Sequence, residues 1–204
     1  MNIPLLIDQL KQAHPQALCE LNYGTPYELL VSVILSAQCT DKRVNQVTPA
    51  LFAWCNNPYD MATKTEEELI PYIRSCGFYN NKARNIIACA KSLVERFDGV
   101  VPSTVEELVT LEGVGRKTAN VVYAVAFGGE AIPVDTHVFR LAHRLGLSQG
   151  KTPYEVEMDL DRAIPHEEWS HFHHLLIHHG RYVCTSRKPH CGECNLTECP
   201  SREE

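Results

Sequence analysis

The stretch LEGVGRKTANVV, residues 111–122, places two glycines around one valine between two segments of helical character. Residues 103–111 and 116–127 both read as helices, so Gly113-Val114-Gly115 is expected to be a tight interhelical turn. Glycine permits positive φ and leaves backbone N–H groups uncovered. Those groups would stand at the N-terminus of the second helix, where the macrodipole favours an anion. The turn therefore reads as a phosphate clamp. It is not a nucleotide-binding P-loop, because the G-x-x-x-x-G-K-[ST] spacing and a preceding strand are both missing.

Lys117 falls in the first turn of that second helix. The same dipole disfavours its ammonium and lowers its pKa toward a partly neutral, nucleophilic amine. A lysine that meets a phosphate as a point charge would look the same in sequence, so the residue alone leaves both roles open. A carboxylate downstream adds weight to catalysis. Asp135, in AIPVDTHVFRLAHRLGL, caps a helix starting near Thr136. The helix bearing Lys117 runs about 18 Å at 1.5 Å per residue, and the residues from Gly128 to Asp135 can retrace about 26 Å if extended. Asp135 can thus return toward the lysine, where a carboxylate could orient the amine, take its proton or stabilise a developing cation.

Helix start signals recur along the chain. TPYELLVSVILSAQ opens with Thr25 as cap, Pro26 in the first helical position and Glu28 closing a capping box, and TPYEVEMDLDRAI repeats the device with Thr152, Pro153 and Glu155. Thr65 and Ser103 read as further caps, and Gly77 and Gly180 as helix terminators. These signals predict about ten helices of about 8 to 16 residues. The β-branched runs LLVSVIL and NVVYAVAFG lie inside helix caps, and no Asn-Gly or Asp-Gly turn joins two alternating segments. The expected class is all-α, with the compact apolar helices from about 20 to 129 set apart from the His- and Cys-rich segment that follows.

Nine cysteines are present. Cys19, Cys39, Cys55, Cys76 and Cys89 are scattered singly through helical sequence and read mostly as small core residues. Cys184, Cys191, Cys194 and Cys199 instead cluster as CTSRKPHCGECNLTEC, or C-x6-C-x2-C-x4-C, on a polar segment that no core could use. Four thiolates there point to a metal centre in a reducing compartment rather than to a disulfide framework. Spacing leaves two choices open, a tetrahedral zinc or an iron-sulfur cluster. Arg181, Arg187, Lys188 and His190 interleave with the ligands, which would make a rigid basic surface suited to phosphate.

The net charge is -6 over 204 residues. It argues only mildly against nucleic acid, since binding depends on the local face. No stretch approaches about 18 consecutive apolar residues, and MNIPLLIDQLKQAHPQ lacks the basic start and apolar run of a signal peptide. The expected location is cytoplasmic.

Taken in order, LSAQCTD at 35–41, GFYNNKARNI at 77–86, LEGVGRKTANVV, VDTHVFR at 134–140, HHLLIHHGRYVC at 173–184 and the cysteine cluster resemble the endonuclease III family of DNA glycosylase/AP lyases, within the helix-hairpin-helix glycosylase superfamily. The resemblance covers nearly the whole chain. It implies a two-lobed fold: a six-helix barrel domain at 20–129 carrying the hairpin, and a second helical domain of residues 1–19 and 130–204 holding a 4Fe-4S cluster on Cys184, Cys191, Cys194 and Cys199. It further implies excision of oxidised pyrimidines from damaged double-stranded DNA by a flipped-base mechanism in base excision repair. Lys117 would attack the sugar and form a Schiff base, Asp135 would assist, and β-elimination would cleave the strand 3′ to the abasic site. Gln38 matches the family residue that fills the gap left by the flipped base, and Phe78 stands where the family usually has a leucine wedge. DNA contacts are expected from Gln38, Phe78, Gly113, Val114, Gly115, Arg116, Arg187 and Lys188. The expected protein is a monomer, associated with the nucleoid through DNA.

Three positions depart from the family pattern. Glu112 replaces the proline usual before the hairpin glycine and brings a negative charge toward the clamp. The last cysteine spacing is four residues instead of five. Phe78 replaces leucine. The rival readings are the adenine-removing branch of the superfamily, which lacks the catalytic lysine, a non-catalytic DNA-binding module, and a metal enzyme using the histidines of HEEWSHFHHLLIHHG. The last has no H-E-x-x-H motif, and those histidines are expected in core and surface roles.

Overall fold

A computed structural model describes residues 1–202. Its helices are α1 (Ile3–Ala13), α2 (Pro26–Ser36), α3 (Asp41–Trp54), α4 (Pro58–Met61), α5 (Glu66–Ile73), α6 (Tyr79–Phe97), α7 (Val105–Leu108), α8 (Arg116–Phe127), α9 (Thr136–Arg144), α10 (Pro153–Ala163) and α11 (Trp169–Tyr182), with a 3-10 turn at His166–Glu168. No strand occurs among the described residues, so the fold is all-α as expected. None of these helices is long and apolar enough to cross a membrane.

The chain divides into two compact units, Glu20–Phe127 and the combination of Met1–Cys19 with Gly128–Glu204. In the first, α2 is buried nearly all round, from Tyr27 and Leu29 through Leu35, and contacts α3, α6 and α8. A helix apolar on every face must be surrounded. In the second unit, α1 lays Leu6, Ile7 and Leu10 against a core that includes Phe172, Leu175, Val138, Leu141 and Leu160. The two chain ends meet there. The Asn195 amide donates to the Gln9 carbonyl at 2.6 Å, and the Asn2 N–H donates to Glu198 Oε2 at 2.9 Å.

The helix starts read at Thr25, Thr65, Asp135 and Thr152 appear where the sequence signals put them. Thr65 and Thr152 form complete capping boxes with Glu68 and Glu155. Thr25 caps α2 by accepting from the Glu28 N–H, but the Glu28 carboxylate reaches one residue further back, to the Gly24 N–H at 2.6 Å. Ser103 is not a cap. Thr104 takes that role, accepting from the Glu107 N–H, and α7 spans only four residues. Gly180 does not end a helix either. It lies inside α11, where a Cβ would come within 3.1 Å of both the Arg140 guanidinium and His137, so the missing side chain lets α9 approach α11 closely.

Candidate functional site: a glycine hairpin, two strained loops and a cysteine-lined cavity

The hairpin between α7 and α8 is held from inside. Val114 is buried, and its N–H donates to the Leu111 carbonyl at 3.1 Å. Its side chain anchors the turn and its N–H is already engaged, so within the turn the glycines are the residues left to meet an anion. They differ. Gly113 has φ +75°, and a Cβ there would come within 2.7 Å of Asn85 on α6, so glycine is required on both counts. Gly115 is absent from the positive-φ residues, contrary to the expectation for both glycines, and has open space around it. Its carbonyl accepts the first bond of α8, from the Ala119 N–H at 2.9 Å. Here the missing side chain clears the approach to the helix N-terminus, where backbone donors and dipole attract an anion.

Arg116 is exposed and Lys117 half-buried in the first turn of α8. Glu112, the charge expected to disturb the clamp, is turned toward α6. Its Oε2 accepts from the Ser92 hydroxyl at 2.8 Å. Burial, with the Glu112 charge second, pushes the nearby Cys89 thiol up to about 12. The carboxylate is therefore partly occupied on the side of the turn that faces α6.

Gln38 and Phe78 are both in the left-handed region, with φ 52° and 57°. Neither is glycine, and a bulky residue there carries strain on the order of 1–3 kcal/mol that surrounding structure must hold. Gln38 is exposed, and Phe78 is 64% exposed. The segments adjoin, since a Cβ at Gly77 would lie 3.7 Å from the Gln38 carbonyl oxygen. Lys82 provides the support. It is buried at 5% exposure, and its ammonium donates to the Leu35 carbonyl at 2.8 Å, one of the acceptors that the end of α2 leaves without an intrahelical partner. A cation at a helix C-terminus also suits the dipole. Sequence reasoning did not single out Lys82, since a lysine early in an amphipathic helix ordinarily reads as solvated.

Asp135 is the cap of α9, as its sequence predicts. One oxygen, Oδ1, accepts from the N–H groups of His137 and Val138, each at 2.8 Å. This bonding fixes the carboxylate and leaves Oδ2 outside the cap interaction. Lys117 and Asp135 belong to different units, each positioned by the start of its own helix.

Cys184, Cys191, Cys194 and Cys199 all line one cavity of about 140 Å³ in the second unit. Among the described residues no group of three or more His, Cys, Asp or Glu side chains closes in on a single metal ion. Four sulfurs around one cavity, three of them backed by the apolar core, are a donor set that fits a thiolate-bound metal centre. The surroundings also fit anionic sulfur. The Arg144 guanidinium donates to Cys184 Sγ at 3.2 Å and to the Thr185 carbonyl at 2.7 Å, while His179 Nε2 stands 3.6 Å from Cys194 Sγ. Arg202 donates to the carbonyls of Cys191 at 3.0 Å and Leu196 at 2.9 Å. These arginines come from outside the spacing motif and were not anticipated. Arg187, Lys188 and His190 are exposed on the same loop. His173, His174 and His179 are buried and His178 partly so, in keeping with structural roles for that run.

Residues 31–166 match the model of the HhH-GPD superfamily base excision DNA repair proteins. The chain is 52% identical to endonuclease III of Synechocystis over 95% of its length and 90% of the relative's. It is 43% identical to endonuclease III of Escherichia coli K12, covering 98% and 95% of the two chains. A solved trapped endonuclease III–DNA covalent intermediate superposes with a TM-score of 0.94 at 47% identity, over 98% of this chain and 94% of that one. A thermostable thymine-DNA glycosylase shares the fold at a TM-score of 0.88 and 21% identity, over 98% of this chain and 95% of that one. The chain belongs to the endonuclease III family of the helix-hairpin-helix superfamily of base excision DNA repair proteins.

Proposed function

We propose that the protein is a bifunctional DNA glycosylase/AP lyase that removes oxidised pyrimidines from double-stranded DNA and then cleaves the strand. The observation that carries this reading is Lys117 in the first turn of α8, directly behind the open Gly115 position. The turn would hold a phosphate while the adjacent amine reaches the sugar of the same strand. The Lys117 Nζ lone pair forms a bond to the sugar C1′, and the C1′–N bond to the base breaks. Opening of the sugar ring gives an iminium, which acidifies C2′. Loss of a C2′ proton then breaks the C3′–O bond and releases the 3′ phosphate. Asp135, with Oδ1 held by the cap of α9, offers its other oxygen to steady developing positive charge.

Gln38 and Phe78 enter the stack left by the flipped base, and the aromatic ring of Phe78 stacks against a neighbouring base. Glu20–Phe127 is in this reading the six-helix barrel domain, and the unit joining both chain ends is the cluster domain. Cys184, Cys191, Cys194 and Cys199 would hold a 4Fe-4S cluster, whose contribution is to make the loop bearing Arg187 and Lys188 rigid for contact with the DNA backbone. A monomer in the cytoplasm, associated with the nucleoid, suits this task.

Borohydride reduction on abasic-site DNA tests the proposal. A covalent protein–DNA adduct is expected for the native chain and none for Lys117→Ala. No adduct with the native chain would favour a non-catalytic DNA-binding role, and activity only on adenine mispairs would move the substrate to the adenine-removing branch.

A further inference from the structure

Cys39 and Cys76 take no part in the proposed chemistry and lie outside the C-terminal cysteine set. Both are free thiols in the unit Glu20–Phe127. Gly77 runs against the Gln38 carbonyl at the contact described above. One residue away on each segment stand Cys39 and Cys76, whose sulfurs are near enough to act on each other electrostatically. Adjoining backbone with a cysteine one residue along each segment suits the short span of a disulfide. Cys39 is half-exposed, whereas Cys76 is fully buried. The Lys82 ammonium acts on both sulfurs, and Arg43 acts on Cys76.

We propose that Cys39 and Cys76 form a hydroperoxide-responsive dithiol/disulfide pair that ties together the two segments carrying Gln38 and Phe78. Cys39 is the sulfur that an oxidant can reach. Its thiolate forms an S–O bond with one peroxide oxygen, the O–O bond breaks, and the departing hydroxide takes a proton to become water. Burial holds the Cys76 thiol up to about 11, so it stays protonated while Cys39 reacts. The Cys76 sulfur then attacks Cys39 sulfenic acid, the S–S bond forms as the S–O bond breaks, and the Cys76 proton leaves with the hydroxide as a second water. Two thiols and one hydrogen peroxide become a disulfide and two waters, and two electrons pass from sulfur to peroxide. Exchange with a small thiol restores the pair.

The consequence for DNA rests on the reading of Gln38 and Phe78 given under Proposed function. Both residues sit at strained φ values, and the segments must adjust when their side chains enter a base stack. A covalent tie between neighbouring residues opposes that adjustment.

The test treats the full chain with stoichiometric hydrogen peroxide, counts free thiols, maps cross-links by tandem mass spectrometry and measures excision of an oxidised pyrimidine. Loss of a thiol pair, a Cys39–Cys76 linked peptide and a fall in excision of at least about tenfold, reversed by dithiothreitol, are expected. Cys39→Ser and Cys39→Ala should show neither the cross-link nor the reversible loss. Recovery of Cys39 and Cys76 as unlinked peptides, or linked to other cysteines, overturns the proposal. A cross-linked protein that excises at the reduced protein's rate overturns its coupling to DNA handling. If the reduced protein excises no damaged base, the functional reading fails, while the peptide map still decides the disulfide.

Discussion

Lys82 Nζ donates to the Leu35 carbonyl oxygen at 2.8 Å, joining the first turn of α6 to the last turn of α2. The bond lies directly behind the segments that carry Gln38 and Phe78. Lys82→Met keeps much of the apolar stem but leaves the carbonyl without its donor. Removing one partner of a buried hydrogen bond costs about 1–3 kcal/mol, so the urea midpoint should fall accordingly. Excision of a damaged base should fall more than binding to undamaged duplex, because the support lost is that of Gln38 and Phe78. Equal losses in both assays would assign Lys82 a purely structural role.

The two hairpin glycines should separate stability from DNA binding. Gly113→Ala forces a side chain into φ +75° and into Asn85, and should destabilise the protein by about 1–3 kcal/mol. Gly115→Ala meets no neighbouring atom and should cost less than about 1 kcal/mol, yet it places a methyl group where a phosphate would approach. Thermal unfolding and DNA affinity measured on both variants check this. Similar affinity for Gly115→Ala and the native chain would place the phosphate elsewhere.

Arg144 donates to Cys184 Sγ and to the carbonyls of Thr185 and Ser186. Arg144→Ala removes positive charge beside the sulfur and releases the backbone that follows it. Groups that orient metal ligands typically influence affinity by about 10–100-fold, so the purified variant should carry less iron per chain and lose it faster to a chelator. Iron analysis and visible absorbance measure this directly. Zinc in place of iron in the native protein would exclude the iron-sulfur assignment.

His174 should give stability an acid limb. Burial, then the charges of His178, His171 and Arg181, lowers its pKa from 6.5 to about 4. The unfolded chain therefore binds this proton at higher pH than the folded chain does. Stability contributed by neutral His174 is present above about pH 6.5, falls as the pH drops toward 4, and changes no further from this group below that. The difference between pH 7 and pH 4 should be about 2–3 kcal/mol. His174→Gln should flatten this part of the profile in urea titrations, whatever its effect at pH 7.

Local chemistry made much of the fold readable from sequence. A capping box needs only four consecutive residues, so Thr152 with Glu155 appears in the structure as expected, while Thr65, expected as a cap, forms a full box with Glu68. Asp135 caps α9 for the same reason. The hairpin and the cysteine spacing were likewise legible, since each is defined by short intervals along the chain. Errors occurred where a distant neighbour decides. Gly180 has the composition of a terminator, but α9 packing against α11 keeps it helical.

By itself, then, the sequence determined the all-α class, the helix starts at Thr25, Thr65, Asp135 and Thr152, the glycine turn before Lys117 and the clustering of four cysteines, because hydrogen bonds three or four residues apart and periodic apolar positions settle these. Only the tertiary structure decided that Gly113 answers to Asn85 while Gly115 faces open space, that Glu112 turns to Ser92, and that Arg144 and Arg202 serve the cysteine loop. It also set the segment of Cys39 against that of Cys76, next to two strained residues. Such pairings depend on which helix faces cross, and that follows from packing the whole core rather than from any interval a reader can count.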